Sequence, residues 1–303
     1  MKIGVKDYLH LHFIVLVWGF TAVLGKLITL PPVELVFMRT LLAAIGLAIY
    51  MRYKKISFRT SKKNVILLLL TGALLGFHWI TFFASARISN ISISLVGIAT
   101  CSFWTSLIEP IVLKRKLNWV ELILGILVVG GLFVVYHADF SYSSGLLVAI
   151  TSAILASIFS VFNSQFARKI DFHTIAFFEF SGSTLLIALF FPVYLKFFTE
   201  SDSLQLIPTT MDWVYLAILS FLCTDYAFTA SILLMKRISA YAINLTVNLE
   251  PVYGIILAFL VFGDSERMQA GFYIGAAMII ISVFIYPVSN YYKNLRAVRS
   301  KGL

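Results

Sequence analysis

The sequence predicts an all-α integral membrane protein with ten transmembrane helices, arranged as two inverted repeats of five helices. Three observations lead to this fold class. The chain of 303 residues is 60% apolar and only 13% charged, whereas roughly a quarter of the residues in a soluble domain are charged. Its apolar residues form ten segments of membrane-spanning length, and the first half of the chain aligns with the second.

The ten segments are separated by short polar gaps. A helix needs about 20 apolar residues to cross the hydrocarbon core, and no gap has room for an extramembrane domain. We therefore expect a first repeat over residues 1–140, a second over 141–290 and a basic cytoplasmic tail over 291–303. The predicted segments are 9–28, 33–52, 64–86, 90–113, 119–137, 142–167, 173–195, 212–234, 241–262 and 269–288.

The two halves align when the chain is shifted by 150 residues, which places Arg87 on Arg237. A shift of 140 residues aligns the earlier part and places Arg39 on Glu179. Because each repeat has an odd number of spans, the two repeats must insert with opposite orientations. This plan is common in secondary transporters, whose substrate sites lie near the midplane between the repeats.

The charge pattern predicts the topology and argues against nucleic acid as a partner. The net charge is +10, but the basic residues cluster in alternate gaps, as expected of cytoplasmic loops. With the N-terminus inside, the inner side carries 19 of the 24 Lys and Arg residues, and only Arg87, Lys196 and Arg267 fall outside. Both termini are therefore expected in the cytoplasm.

The ninth segment carries an acid and a proline near its middle. Placing Glu250 there costs about 2.5–3.5 kcal/mol on insertion scales, and Pro251 removes a backbone hydrogen bond. Both therefore require protein or a wet cavity around them. Asn244 and Asn248 share one helix face, and they line a cavity with Glu250 only if the helix bends at Pro251. The alternative is a buried structural acid beside a simple kink.

Deep aromatic residues indicate a path for a solute. Counting about 1.5 Å per residue along each helix places Trp18 and Thr100 near the midplane. Trp79 in the outer half and Trp104 in the inner half flank this level. Deep indoles suit stacking on an apolar or aromatic solute, with ordinary packing as the alternative.

Three charged residues within the spans are further candidates. Asp225 and Glu250 fall at similar depth on consecutive segments, so we expect them to share a low-dielectric pocket in which one acid carries a proton. Hydrogen bonds that prevent titration are the alternative. Arg39 either binds a carboxylate bidentately or ties helices together through carbonyl groups.

Several motifs resemble one known family when they are taken in order. They are WGFTAVLGKLI from Trp18, VELVFMRTLLAA around Arg39, RISAYAINLTVNLEPVYGIILAFLVFGDSE from Arg237, and a last helix with two glycines. Together they resemble the EamA family of the drug/metabolite transporter superfamily over almost the whole chain. The resemblance implies a ten-helix permease of the bacterial inner membrane, often an exporter of amino acids or other small metabolites. The first half departs from the family pattern, with Thr100-Cys101 in place of an acid-proline pair.

The resemblance also implies that the third segment lines a central cavity. His78 is then a substrate ligand rather than a satisfied core histidine, and Phe82 belongs to the same predicted site. The predicted substrate-binding residues are Trp18, Arg39, His78, Trp79, Phe82, Thr100, Trp104, Asn244 and Asn248, with Asp225 and Glu250 as candidates for proton coupling.

The sequence thus predicts a secondary-active or facilitative transporter rather than an enzyme. We expect it to move a small metabolite such as an amino acid across the lipid bilayer by alternating access, without cofactor or metal, as a monomer or homodimer. A nucleotide-sugar or sugar-phosphate carrier of the same superfamily is the alternative, although only Arg39 and Lys26 are candidates for a basic phosphate site. An integral-membrane transferase is a weaker alternative, because it needs paired carboxylates or a His/Asp pair, and the acids here are scattered singly.

The topology yields a direct prediction. A reporter that is active only in the cytoplasm, fused after Leu303, should be active, because the basic loops hold the terminal side inside. The matched fusion in the gap between segments 3 and 4 should be inactive. Activity of the second fusion and silence of the first would reverse the topology.

Overall fold

Ten helices make up the protein in a computed structural model that describes residues 4–138, 140–199 and 203–282, together with Ile285. In chain order they are α1 (Val5–Leu27), α2 (Pro32–Tyr53), α3 (Lys62–Ile88), α4 (Ile91–Leu113), α5 (Trp119–Ala138), α6 (Ser143–Phe166), α7 (Phe172–Phe197), α8 (Thr210–Leu234), α9 (Ala240–Ser265) and α10 (Ala270–Ser282).

The membrane-spanning character of these helices follows from their length and apolarity. Eight are long and apolar enough to cross a membrane, and the apolar stretches of the other two, Trp119–Val134 in α5 and Ala270–Ser282 in α10, are shorter. The predicted segments are confirmed to within four residues at each end that the structure describes. The end of the tenth segment and the tail over 291–303 lie outside the described residues.

Local sequence fixes where several helices begin. Pro32 occupies the first turn of α2, where its missing N–H costs nothing. The side chains of Ser61, Asp171 and Ser239 cap α3, α7 and α9 by accepting hydrogen bonds from backbone N–H groups of the first turn. Such caps satisfy donors that would otherwise be unpaired at the helix end.

Seven helices surround the centre, namely α1, α2, α3, α4, α6, α8 and α9, and α5, α7 and α10 lie outside them. α3 packs on α6 and α7, α1 packs on α8 and α9, and α4 packs on α5, α6 and α9. α2 packs on α7 and α8 at one side. At the other side α5 approaches α10 so closely that a Cβ on Gly131 would lie 2.7 Å from the carbonyl oxygen of Gly275. The end of the bundle at which α1 begins is called the N-terminal face below, and the other end is called the opposite face.

α4 and α9 are each interrupted at their middle. α4 consists of the segments Ile91–Ile98 and Cys101–Leu113, and α9 of Ala240–Val247 and Glu250–Phe262. The α9 interruption is a tight turn in which the N–H of Asn248 and of Leu249 each bond to a carbonyl three residues back. The two interruptions correspond under the shift of 150 residues, so they are related by the repeat.

A bend at Pro251 was the condition for a shared cavity, and the helix is in fact interrupted two to three residues earlier, at Asn248 and Leu249. A proline removes the hydrogen bond to the carbonyl four residues back, so the helix is loosened before the proline rather than at it. α4 lacks a proline at its interruption, and there the hydroxyl of Thr100 donates to the carbonyl of Gly97 (2.8 Å). Such back-bonding competes with the helix ladder and bends it.

The middle of α8 forms a π-helix over Ile218–Tyr226, which the sequence analysis did not anticipate. π-helical turns carry one extra residue per turn and are frequent at functional sites. Here the hydroxyl of Thr224 donates to the carbonyl of Leu219, five residues back (2.7 Å). The indole N–H of Trp18 on α1 donates to the carbonyl of Cys223 (3.1 Å). The π-helix therefore offers backbone and hydroxyl groups to neighbouring helices.

The contact between α3 and α7 yields a stability prediction. A Cβ on Gly72 would lie 2.1 Å from the backbone oxygen of Glu179, so Gly72→Ala should lower the unfolding free energy by about 1–3 kcal/mol through overpacking. Gly130→Ala is the matched control, because its nearest contact is the flexible end of Met278 at 3.7 Å. Melting temperatures of the purified variants in detergent measure both effects. Equal melting temperatures for the two variants would contradict the close packing.

Candidate functional site

A cavity lies at the centre of the helix bundle, between the two repeats. Its volume is about 90 Å³, which is room for several waters or part of a small solute. Its walls come from α1, α2, α3, α4, α6, α8 and α9. The lining residues are Trp18, Thr21, Arg39, Leu75, His78, Trp79, Phe82, Ile98, Cys101, Ala156, Phe159, Ser160, Phe228, Ser231, Met235, Ile243, Asn244, Val247 and Glu250.

The lining contains one Lys or Arg residue, which is Arg39, and its side chain is buried at 1% exposure. Its Nε donates to the hydroxyl of Thr224 in the π-helix (2.6 Å). Its guanidinium carbon lies 3.8 Å from the centre of the Trp79 ring, a favourable cation–π geometry. Nη1 of Arg39 is buried and has no hydrogen-bond partner. The guanidinium is thus held on one edge and has a free donor on another.

Glu250 is the acid of the cavity lining and begins the second segment of α9. Within the described chain, no carboxylate oxygen lies within the 4.0 Å ion-pair distance of Arg39, so the two charges face the same cavity without contact. A buried unpaired charge is costly, so two unpaired charges of opposite sign favour a ligand that carries both.

Aromatic rings form much of the remaining wall. The ring centres of Trp79 and Phe228 are 6.0 Å apart, those of Phe159 and Phe228 are 6.2 Å apart, and those of His78 and Phe159 are 5.5 Å apart. Phe82 lies 6.4 Å from His78. These distances lie within the range of offset and edge-on ring contacts, so the cavity offers aromatic surfaces to an apolar group.

Hydrogen bonds fix the polar part of the wall. Nδ1 of His78 lies 2.8 Å from the hydroxyl of Ser152 and 3.1 Å from its carbonyl oxygen. The hydroxyl of Ser160 donates to the amide oxygen of Asn244 (3.1 Å), and the amide nitrogen donates to the hydroxyl of Thr105 (2.8 Å). This network connects α4, α6 and α9 through the second segment of α4 and the first segment of α9.

Seven of the predicted site residues are brought together by the structure. They are Trp18, Arg39, His78, Trp79, Phe82, Asn244 and Glu250.

The other four do not line the cavity. Thr100 bonds within α4, and the amide of Asn248 donates to the hydroxyl of Ser102 (2.9 Å). Trp104 packs beside Phe103, with its indole nitrogen buried and unpartnered. These three residues lie on helices that line the cavity, but they are not among its lining residues.

Asp225 also lies elsewhere, which corrects the expectation that it shares a pocket with Glu250. Its Oδ2 is 3.0 Å from the position a Cβ would take on Gly46 of α2. Its Oδ1 is buried without a hydrogen-bond partner. Both Thr224 and Asp225 therefore face α2, Thr224 at Arg39 and Asp225 at Gly46, and Glu250 alone of the two acids lines the cavity.

Phe159, Ser160, Phe228 and Ser231 are cavity residues that the sequence analysis missed. Phe159 and Ser160 belong to the serine-rich stretch TSAILASIFSVFNSQ of α6. Such clustering of serines in an apolar span was a usable signal, since small hydroxyl side chains mark helix faces that contact protein rather than lipid.

Hydrogen bonds join the helix ends at the opposite face. One nitrogen of Arg87, at the end of α3, donates to the carbonyls of Gly25, Ile28 and Leu30 around the end of α1. The carboxylate of Asp212 at the start of α8 accepts from the backbone N–H (2.8 Å) and the hydroxyl (2.6 Å) of Thr29. The cavity lining from α8 and α9, by contrast, extends toward the N-terminal face as far as Met235 and Ile243.

The fold and the cavity define a polytopic membrane protein with a duplicated helical body and a central cavity between its repeats. The model of the EamA-like transporter family matches residues 8–137 and again residues 143–286. The chain therefore belongs to the EamA-like transporter family, a branch of the drug/metabolite transporter superfamily.

The fold also matches solved structures. One of them, described only as the crystal structure of a protein, covers 92% of this chain and 95% of its own with a TM-score of 0.68 and 17% sequence identity. At that identity the similarity shows the fold alone. No curated protein matches the sequence.

The aromatic wall yields a binding prediction. Trp79→Leu should weaken binding of an aromatic solute about two- to tenfold, because a ring contact contributes about 0.5–1.5 kcal/mol. Trp104→Leu removes an indole outside the cavity and should leave binding unchanged. Titration of each purified variant with a ligand identified by thermal shift measures the difference. If both variants bind the solute equally weakly, Trp79 contributes to packing and not to binding.

Proposed function

We propose that the protein carries a small amphiphilic metabolite across the membrane through the central cavity by alternating access. The observation that carries the proposal is that Arg39 and Glu250 line one buried cavity without touching each other, beside walls that include several aromatic rings. Family membership supports transport, and members of this family are transporters rather than enzymes.

The cavity chemistry favours a solute with a carboxylate, an amine and an apolar or aromatic group. The free Nη1 of Arg39 suits a carboxylate, and Glu250 suits an ammonium group. The ring surfaces of Trp79, Phe159 and Phe228 suit the apolar part. Amino acids with aromatic or large apolar side chains meet all three requirements.

Export from the cytoplasm is the direction we propose. The cavity lining extends toward the N-terminal face, which the basic residues assign to the cytoplasm. Arg87 and Asp212 hold the opposite face together. Release on that side requires those contacts to open and the N-terminal face to close, which is the alternation expected of two inverted repeats.

A nucleotide-sugar or sugar-phosphate carrier is less favoured. A phosphate group prefers several basic donors, and Arg39 is the one Lys or Arg among the lining residues. Lys26, the other candidate, lies over the ring of Phe262 at 4.6 Å near the opposite end of α1.

The energy source is a separate part of the proposal. Glu250 stays a candidate proton carrier because it faces the cavity, and Asp225 stays a candidate because one of its oxygens is buried and unpartnered. Proton coupling through either acid and facilitated diffusion are both compatible with transport through this cavity. The bacterial inner membrane is the proposed location, with a monomer or homodimer as the assembly.

The test compares three related ligands and two variants. A thermal-shift screen of the purified protein should show stabilisation by an aromatic amino acid, and weaker stabilisation by its decarboxylated amine and its deaminated acid. Arg39→Lys keeps the charge but loses the planar donor fork, so binding should fall about tenfold or more. Counterflow in proteoliposomes then measures transport of the ligand found.

Thr224→Val is the matched control, since it removes the hydroxyl that holds Nε and leaves the guanidinium itself in place. It should reduce affinity less than Arg39→Lys does. Equal stabilisation by the amine and the amino acid would contradict the role of Arg39 in binding a carboxylate. If no ligand that binds shows counterflow, the proposed transport function is contradicted.

A further inference from the structure

A second polar cluster lies between α3, α6 and α7, outside the central cavity. Its centre is Glu179 of α7, which is 0% exposed. Oε1 of Glu179 accepts from the hydroxyl of Thr71 on α3 (2.8 Å). Oε2 accepts from the amide nitrogen of Asn163 on α6 (3.0 Å). The transport proposal above makes no use of this acid.

Glycines bring α3 and α7 close together beside the cluster. A Cβ on Gly72 would clash with the backbone carbonyl of Glu179, and a Cβ on Gly182 would clash with the backbone carbonyl of Leu69. These reciprocal contacts hold the two backbones against each other over about one helical turn. The carboxyl of Glu179 is therefore enclosed by protein.

No countercharge reaches the carboxyl from the described part of the chain. The side chains that act on it are Thr71 and Asn163, which are both neutral. The nearby titratable groups of the packed helices are engaged elsewhere: His78 with Ser152, Arg39 with Thr224, and His173 with Asp171. In low-dielectric surroundings without an opposite charge, a neutral carboxylic acid competes well with the carboxylate.

The hydrogen bonds around Glu179 fit both protonation states. As a carboxylate, it accepts from Thr71 and from Asn163. As an acid protonated on Oε1, it donates to the hydroxyl oxygen of Thr71. Thr71 then turns its own proton to the helix carbonyl of Leu68 (3.1 Å) or Leu67 (3.2 Å), both within reach. Only a hydroxyl rotates, because one hydroxyl can donate and accept at once.

We propose that Glu179, Thr71 and Asn163 form a proton-binding site that is separate from the solute cavity. The ligand is a proton, held between Oε1 of Glu179 and the hydroxyl of Thr71. The site joins α3 of the first repeat to α6 and α7 of the second, so occupancy changes the hydrogen bonds between the repeats.

The site is also adjacent to the solute cavity. Asn163 follows Ser160 by three residues on α6, so the two side chains share a helix face. Ser160 lines the cavity and bonds to Asn244. One short stretch of α6 therefore contacts the proton site with one residue and the solute cavity with another. The coupling of proton to solute rests on the proposed transport function, whereas proton binding itself does not.

Infrared difference spectroscopy on the purified full chain tests proton binding directly. Spectra recorded between acidic and alkaline pH should show a carboxylic-acid C=O band that disappears as Glu179 ionises. Glu179→Gln should lose that band while remaining folded and monodisperse, and Glu250→Gln should keep it. Thr71→Val should shift the band, because it removes the hydrogen-bond acceptor of the acid proton.

A difference spectrum that is unchanged by Glu179→Gln, or a Glu179-dependent band that does not change with pH, would overturn the proposal. If no solute is ever transported but the band titrates and depends on Glu179, the transport function fails and the proton site stands. If solute binding and counterflow are intact and the band is absent, the transport function stands and the proton site fails.

Discussion

The constraint on which this structure depends is that a polar group inside a membrane must find its partner within the protein. Two ionisable residues meet it in the same way. Arg39 of α2 bonds to the hydroxyl of Thr224 on α8, and Glu179 of α7 bonds to the hydroxyl of Thr71 on α3. Each bond joins the second helix of one repeat to the third helix of the other. The hydrogen bonds that satisfy the charges therefore also hold the repeats together.

The repeat keeps this architecture and inverts its chemistry. The alignment of the halves pairs Arg39 with Glu179, so equivalent positions carry opposite charges. Arg39 faces the central cavity and retains an unpartnered donor, whereas Glu179 is fully buried and both of its carboxyl oxygens accept hydrogen bonds. Equivalent positions of the two repeats therefore have different surroundings, one at a cavity wall and one in a close helix contact. Symmetry of fold does not require symmetry of function, because function depends on the side chains at each site.

Sequence reasoning was strongest where hydropathy alone decides the outcome. The ten helices and their ends follow from apolar segments, and the interruptions of α4 and α9 correspond under the shift that aligns the halves. The direction of each side chain was not readable. Thr100, Trp104 and Asn248 lie on helices that line the cavity but are not among its lining residues, since successive residues of a helix point about 100° apart. The π-helix of α8 adds a rotation that no periodic pattern predicts, and within it Thr224 contacts Arg39 while Asp225 lies beside Gly46, both on α2.

Two arginines at equivalent positions of the repeats contact the two ends of α1, one at each face. Arg87 and Arg237 are equivalent under the repeat, and they contact opposite ends of α1. Arg87 bonds to carbonyls at its end, whereas Arg237 forms an ion pair with Asp7 at its beginning (2.8 Å). The contact at the opposite face uses several backbone acceptors, and the one at the N-terminal face is a single pair between partly exposed side chains, a type that contributes little stability. The N-terminal face is therefore held at α1 by the weaker of the two contacts, which agrees with a cavity whose lining extends toward that face.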